Sequence, residues 1–154
     1  MAHAESNEAL VERYAAASVR DDRAELRRLR HPDWSVDWPQ SGERVTSSAA
    51  FDSIVGAYPG GHPSSEVSRL VGSEDRWVVT AGNTMLRVAG SGDFWWGAWL
   101  MAYPDGITYH VIDLIELRGG LVHHETVFWA PPLEAPAWRS PFVERPDAAA
   151  DHAP

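Results

Sequence analysis

The chain has 154 residues, a formal charge of −9, eight Trp, no Cys and no Lys. Its length suits one domain with a real core, and its charge argues against nucleic-acid or anionic-membrane partners. The missing Cys and Lys exclude thiolate chemistry, disulfides, Schiff bases and a phosphate-loop lysine, and no G-x-G-x-x-G or G-x-S-x-G motif occurs. Acid/base work by Asp, Glu, His and Tyr remains, or plain ligand binding. With no apolar run long enough to span a bilayer and no signal-peptide pattern, the expected location is cytoplasmic.

Residues 5–19 carry Leu10, Val11, Tyr14 and Ala17 at helical spacing, with Ser6 as a plausible start. Asp21-Asp22 precedes a second short helix over Ala24–Leu29, which His31-Pro32 stops. The Arg-rich run from Arg20 to Arg30 reads as a solvated helix face. Asp33–Trp38 alternates as a short strand with Trp34, Val36 and Trp38 on one side, and Pro39–Arg44 is a loop. Thr46 or Ser47 caps a third helix through Ala57, with Phe51, Ile54 and Val55 on one face. Five strands are expected next, over Glu66–Gly72, Trp77–Val88, Phe94–Tyr103, Ile107–Leu117 and Leu121–Trp129, with a loop at Ala89–Asp93. Because that loop can close in two ways, Asn83 and Arg87 receive no strand face. A Pro-rich extension over 131–146 completes a single domain of residues 1–146, and 147–154 is expected to be a disordered tail. Trp138 and Phe142 suggest that the extension packs on something.

The hairpin over residues 107–129 is the most informative stretch. A three-residue Arg118-Gly119-Gly120 loop would set Leu117 opposite Leu121. Counting back, Asp113 falls opposite Glu125, Ile115 opposite His123, Val111 opposite Val127 and Tyr109 opposite Trp129. Opposed residues share a face, so two acids meet on an otherwise apolar surface, and buried acids in such company usually mark chemistry. The turn Tyr103-Pro-Asp-Gly-Ile107 sets Gly97 opposite Asp113 and brings Trp95, Trp99 and Met101 to the same face. The other face holds Trp96, Ala98, Leu100, Ile112, Leu114 and Phe128, so a second subunit is expected to cover it.

Helices first and a curved antiparallel sheet after them resembles the nuclear transport factor 2-like superfamily, in its SnoaL-like branch and more distantly its ketosteroid isomerase branch. The likeness covers roughly residues 5–130 and rests on Leu10-Val-Glu-Arg-Tyr14-Ala-Ala-Ala, Trp34-Ser-Val-Asp-Trp38-Pro39 and Ile112-Asp113-Leu-Ile-Glu-Leu-Arg-Gly-Gly-Leu-Val122. The tail from Phe128 to Arg139 is similar to that of uncharacterised SnoaL-like proteins. The resemblance implies an α+β cone: three N-terminal helices over a curved, mostly antiparallel sheet with a pocket between. It also implies that Tyr14 and a protonated Asp113 donate to a substrate enolate, since ketosteroid isomerases use a carboxylic acid kept neutral by an apolar site in that way. That branch's base position falls on Trp38, with Asp37 one residue off on the other strand face. SnoaL-like cyclases place a base near the last strand, where Glu125 is the counterpart.

The expected catalytic set is therefore Tyr14, Asp113 and Glu125. The expected substrate lining is Trp38, Trp95, Trp99, Tyr109, Val111, His123, Val127 and Trp129. A metal site on Asp113, His123 and Glu125 lacks the usual ligand spacing, so neither metal nor cofactor is expected. The reading is a cofactor-independent isomerase, cyclase or dehydratase for a small apolar carbonyl compound, acting as a homodimer. The alternatives are a non-catalytic binder or dimerisation module, and an epoxide hydrolase that would need Arg87 in the pocket.

Overall fold

The computed structural model describes residues 5–79 and 85–144. Three helices, α1 (Asn7–Val19), α2 (Arg23–Leu29) and α3 (Ser48–Gly56), pack on one side of a six-stranded sheet. Each starts on a side-chain cap: Ser6 accepts from the Ala9 N–H, Asp22 from Glu25 and Ser47 from Ala50. The strands are β1 (Arg30–Trp38), β2 (Glu43–Val45), β3 (Ser64–Val79), β4 (Met85–Ala102), β5 (Thr108–Arg118) and β6 (Leu121–Ala130), in the order β2-β1-β6-β5-β4-β3. Only the β1–β6 pairing is parallel. The curved sheet stays open, as expected for an α+β cone.

Buried Leu10, Val11, Tyr14 and Ala17 of α1 meet Trp34 and Val36 of β1, and Ile115, Leu117 and Val122 of the last hairpin. A smaller cluster of Ala15, Trp99 and Val111 lies further along the same face.

Several expectations change here. Glu43 and Arg44, expected as loop, belong to β2, which pairs with β1. Glu66–Gly72 and Trp77 belong to one long strand, and the Ala89–Asp93 segment runs inside β4 rather than forming a loop. Its extra residues are absorbed as an irregularity between the pairs Ser73↔Phe94 and Asp75↔Ala89, with Gly92 at a positive φ of 77°. Arg87 pairs with Trp77, while Asn83 and the 147–154 tail lie outside the described residues.

The β4–β5 hairpin keeps the expected register: Gly97 faces Asp113, Trp99 faces Val111 and Met101 faces Tyr109. The β5–β6 hairpin does not. Its turn has two residues, Gly119 and Gly120, with φ of 59° and 73°, the pair of positive values that a mirror-image type I turn demands. Arg118 therefore faces Leu121 and Leu117 faces Val122, and a bulge then leaves His123 as the extra residue. Beyond it Glu125 faces Ile115 and Asp113 faces Val127. The two acids are diagonal neighbours on one face, not directly opposed.

The 131–144 extension holds one short 3-10 turn, Ala137–Phe142. Trp138 and Phe142 are 70% and 81% exposed, so the expected packing of this segment on the body is not found.

Candidate active site

A cavity of about 330 Å³ lies between the helices and the sheet. Its walls are largely aromatic and aliphatic, among them Trp34, Trp38, Phe51, Trp99, Val111 and Trp129. That size and lining suit a small organic ligand. The floor is polar, and it is built from β1, β5, β6 and α1.

The strand periodicity sets that floor. Asp113 on β5 and Glu125 on β6 both point inward, each only 6% exposed. Parallel pairing puts Val36 beside Glu125, and Trp34, two residues earlier on the same face, reaches the carboxylate. Trp34 Nε1 donates to Glu125 Oε1 at 2.7 Å, and the Tyr14 hydroxyl donates to the same oxygen at 2.6 Å. Arg30 Nε donates to the Tyr14 hydroxyl oxygen at 2.8 Å. The guanidinium lies over the Trp34 ring, 3.7 Å from its centroid, and 4.8 Å from that of Phe51. A directed chain of donors thus runs from Arg30 through Tyr14 to Glu125.

Asp113 completes the floor. Burial raises its pKa well above the carboxylate range, and the neighbouring Glu125 charge and a hydrogen bond to Glu125 raise it further. Asp113 therefore holds the proton of the pair. One of its oxygens, Oδ1, has no hydrogen-bond partner. Burial and the Glu125 charge also push the Tyr14 phenol up, so it stays neutral. For Arg30, burial works against the charge, but the Tyr14 and Glu125 oxygens outweigh it and its pKa rises.

The cavity gathers Tyr14, Asp113, Glu125, Trp38, Trp99, Val111, Val127 and Trp129 from the expected set. Three expected residues are not in its wall. Trp95 packs into the main core and gives its indole N–H to the Gly92 carbonyl at 2.9 Å. Tyr109 sits against the Tyr103 ring, with centroids 5.0 Å apart. His123, displaced by the bulge, meets His31 edge-on at 5.2 Å. Tyr14 also differs from expectation, because its proton is committed to Glu125.

Two floor residues were missed. Arg30 looked like the end of a solvated basic run, yet it is 7% exposed and lies among Tyr14, Trp34 and Phe51. Trp34 shares the alternation of Val36 and Trp38, which could have placed it in the wall. Asp37 points the other way, as expected, into a two-bond pair with Arg44 at 2.5 and 2.7 Å. Among the described residues no group of three or more His, Asp or Glu side chains has metal-binding geometry. No described helix is long and apolar enough to cross a membrane.

No family model matches the chain, and no curated protein resembles it significantly. Solved structures do. A nuclear transport factor 2-like protein of unknown function from Burkholderia xenovorans LB400 superposes with a TM-score of 0.69 at 26% identity, over 90% of this chain and 94% of the other. A candidate ketosteroid isomerase from Kribbella flavida DSM 17836 gives 0.69 at 25% identity, over 92% and 90%. An epoxide hydrolase of M. tuberculosis, at 10% identity and a TM-score of 0.52 over 79% and 80%, shares the fold alone. With the helices, the open curved sheet and the cavity between them, these likenesses establish that the chain has the nuclear transport factor 2-like fold.

Proposed function

We propose that the chain is a cofactor-independent acid/base enzyme for a small apolar carbonyl compound, of the isomerase, cyclase or dehydratase type. One observation carries the reading: Asp113 and Glu125 lie buried together on the floor of an otherwise apolar cavity, where burial pushes the Asp113 pKa well up. Adjacent carboxyl groups whose surroundings separate their proton affinities form an acid and a base. The fold's candidate ketosteroid isomerase neighbour is consistent with such chemistry.

In this reading Glu125 takes a proton from the carbon next to the carbonyl. The C–H pair moves into a C–C double bond, the carbonyl π pair moves onto oxygen, and the Asp113 O–H, turning from Glu125 to that oxygen, stabilises its charge. Return of the proton elsewhere isomerises the compound; attack by, or expulsion from, the new double bond gives cyclisation or elimination. Tyr14 and Trp34 hold the base in place, and Arg30 balances its charge from behind. The dry walls strengthen each of these interactions.

The same two bonds to Glu125 Oε1 favour a second reading, a non-catalytic binder, because an oxygen already held by two donors is a weaker base. Deuterium exchange at the α-carbons of 2-decalone in heavy water, followed by NMR, separates them. The wild type should exchange faster than buffer, and Asp113→Asn and Glu125→Gln should each lose about 10²-fold or more. Exchange no faster than buffer in the wild type would favour the binder.

We also infer a cytoplasmic homodimer formed through the outer sheet face, where Ile112 and Phe128 are each 39% exposed. Light scattering should give twice the 17.0 kDa chain mass; a monomeric mass would overturn this.

A further inference from the structure

The cavity has a second polar end, at its mouth, where Asp21 and His62 both form part of the wall. Each of these side chains is 37% exposed, so both present surface that a ligand can reach. His62 Nε2 lies 3.5 Å from Asp21 Oδ1. Arg23 holds the same carboxylate, its Nε and Nη2 donating to the two oxygens at 3.2 and 3.3 Å.

The backbone builds this end on both sides. Among the described residues Asp21 is the one non-glycine with a positive φ, 52°, a left-handed conformation that Asp tolerates better than most. Gly60, with φ of 82°, lies so close to Pro104 that a Cβ there would come within 2.8 Å of it. Pro63, directly after His62, is buried. His62 therefore stands between two anchored positions.

A carboxylate only accepts, so Nε2 carries the hydrogen that faces Asp21. In the neutral ring Nδ1 is then an acceptor. Among the described residues the ring has one polar partner, Asp21, so Nδ1 is free for a donor on the ligand. Arg23 balances the Asp21 charge. An ammonium would meet that guanidinium, and a carboxylate has no proton to give, whereas a neutral hydroxyl fits. The register sets the span. Ser65, also in the wall, pairs with Met101, which pairs with Tyr109. Tyr109 is four residues from Asp113 on β5, about 13 Å along the strand. Side chains reaching in from both ends shorten this to roughly the length of two linked six-membered rings.

We propose that the ligand is a neutral two-ring ketone with a hydroxyl at the end remote from its carbonyl, and that His62 Nδ1 accepts the hydroxyl's hydrogen bond. The acid/base reading is needed only to set the carbonyl at the floor; recognition of the hydroxyl is a matter of binding.

The test is calorimetric binding of 4-phenylcyclohexanone, its para-hydroxy derivative on the phenyl ring, and the methyl ether of that phenol, which accepts but cannot donate. The wild type should bind the phenol about tenfold more tightly than either of the others. In His62→Phe the three affinities should come within about twofold of one another. Equal affinities in the wild type, no binding of the phenol, an ether bound as tightly as the phenol, or an undiminished preference in His62→Phe overturns the proposal. If His62→Phe fails to fold, the wild-type comparison with the ether decides alone. Failure of α-carbon exchange with the preference intact would count against the catalytic reading and not against this one.

Discussion

Replacing Arg30 with methionine is expected to cost the fold about 3–5 kcal/mol, the usual loss when one member of a buried charged set is removed. Methionine fills much of the same space, so the loss is mainly electrostatic. Arg30 stacks on Trp34 and donates to Tyr14, which donates to Glu125. Without the guanidinium, Tyr14 keeps its proton on Glu125, but the acid pair loses its cation. The double variant Arg30→Met/Glu125→Gln tests this origin. Glutamine retains an acceptor oxygen for Tyr14 and Trp34 and carries no charge. The double variant should therefore be more stable than the sum of the two single losses by about 1–3 kcal/mol in urea titrations. Strict additivity would show that Arg30 acts through packing alone.

The second large effect concerns pH. Asp113 has a folded-state pKa raised by burial and by Glu125. Below about pH 4, the ordinary Asp value, both folded and unfolded chains hold this proton, and the group's contribution is fully present. As pH rises from there, the unfolded chain releases the proton while the native one keeps it. The native state then binds more protons, so stability falls with rising pH, by up to about 1.4 kcal/mol per pH unit, until the folded-state pKa is passed. Asp37 and Glu25 have lowered pKa values, through bonds to Arg44 and Arg13, and pull the opposite way as pH falls. Both are common to wild type and Asp113→Asn, so the difference between the two proteins isolates the Asp113–Glu125 pair. The variant should become progressively more stable than the wild type between pH 4 and 8. Urea midpoints that run parallel over this range would show that Asp113 does not carry a raised pKa.

Much of this arrangement was legible in the sequence, and the reasons are local. Helix caps at Ser6 and Ser47, and the Tyr103–Ile107 turn with Gly106 at a φ of 85°, are short-range signals that nothing distant overrides. Face assignments on β4 and β5 follow from alternation once that turn is fixed. Arg30 was not legible, because it is enclosed by Tyr14 of α1, Trp34 of β1 and Phe51 of α3, contacts between segments with no mark in any of them. The long β3 and β4 strands were broken by expectation at Gly72 and Ala89–Asp93, where a bulge, not a turn, uses the same glycine-rich residues. The acids' placement came out on the correct face for an incomplete reason. A two-residue turn alone would have moved β6 one step and turned Glu125 away; the bulge moved it one step more and restored the face.

That extra residue makes one local irregularity of the backbone a determinant of chemistry. Drawing His123 into a regular ladder, with no bulge, would leave helices, sheet order and turn intact. Every side chain beyond it on β6 would exchange sides. Glu125, Val127 and Trp129 would leave the cavity, and His124, Thr126 and Phe128 would enter it. Arg30 and Asp113 would remain, facing a threonine and a histidine. The bulge, more than the sheet order, thus decides which β6 side chains the cavity receives, while the architecture around it stays unchanged.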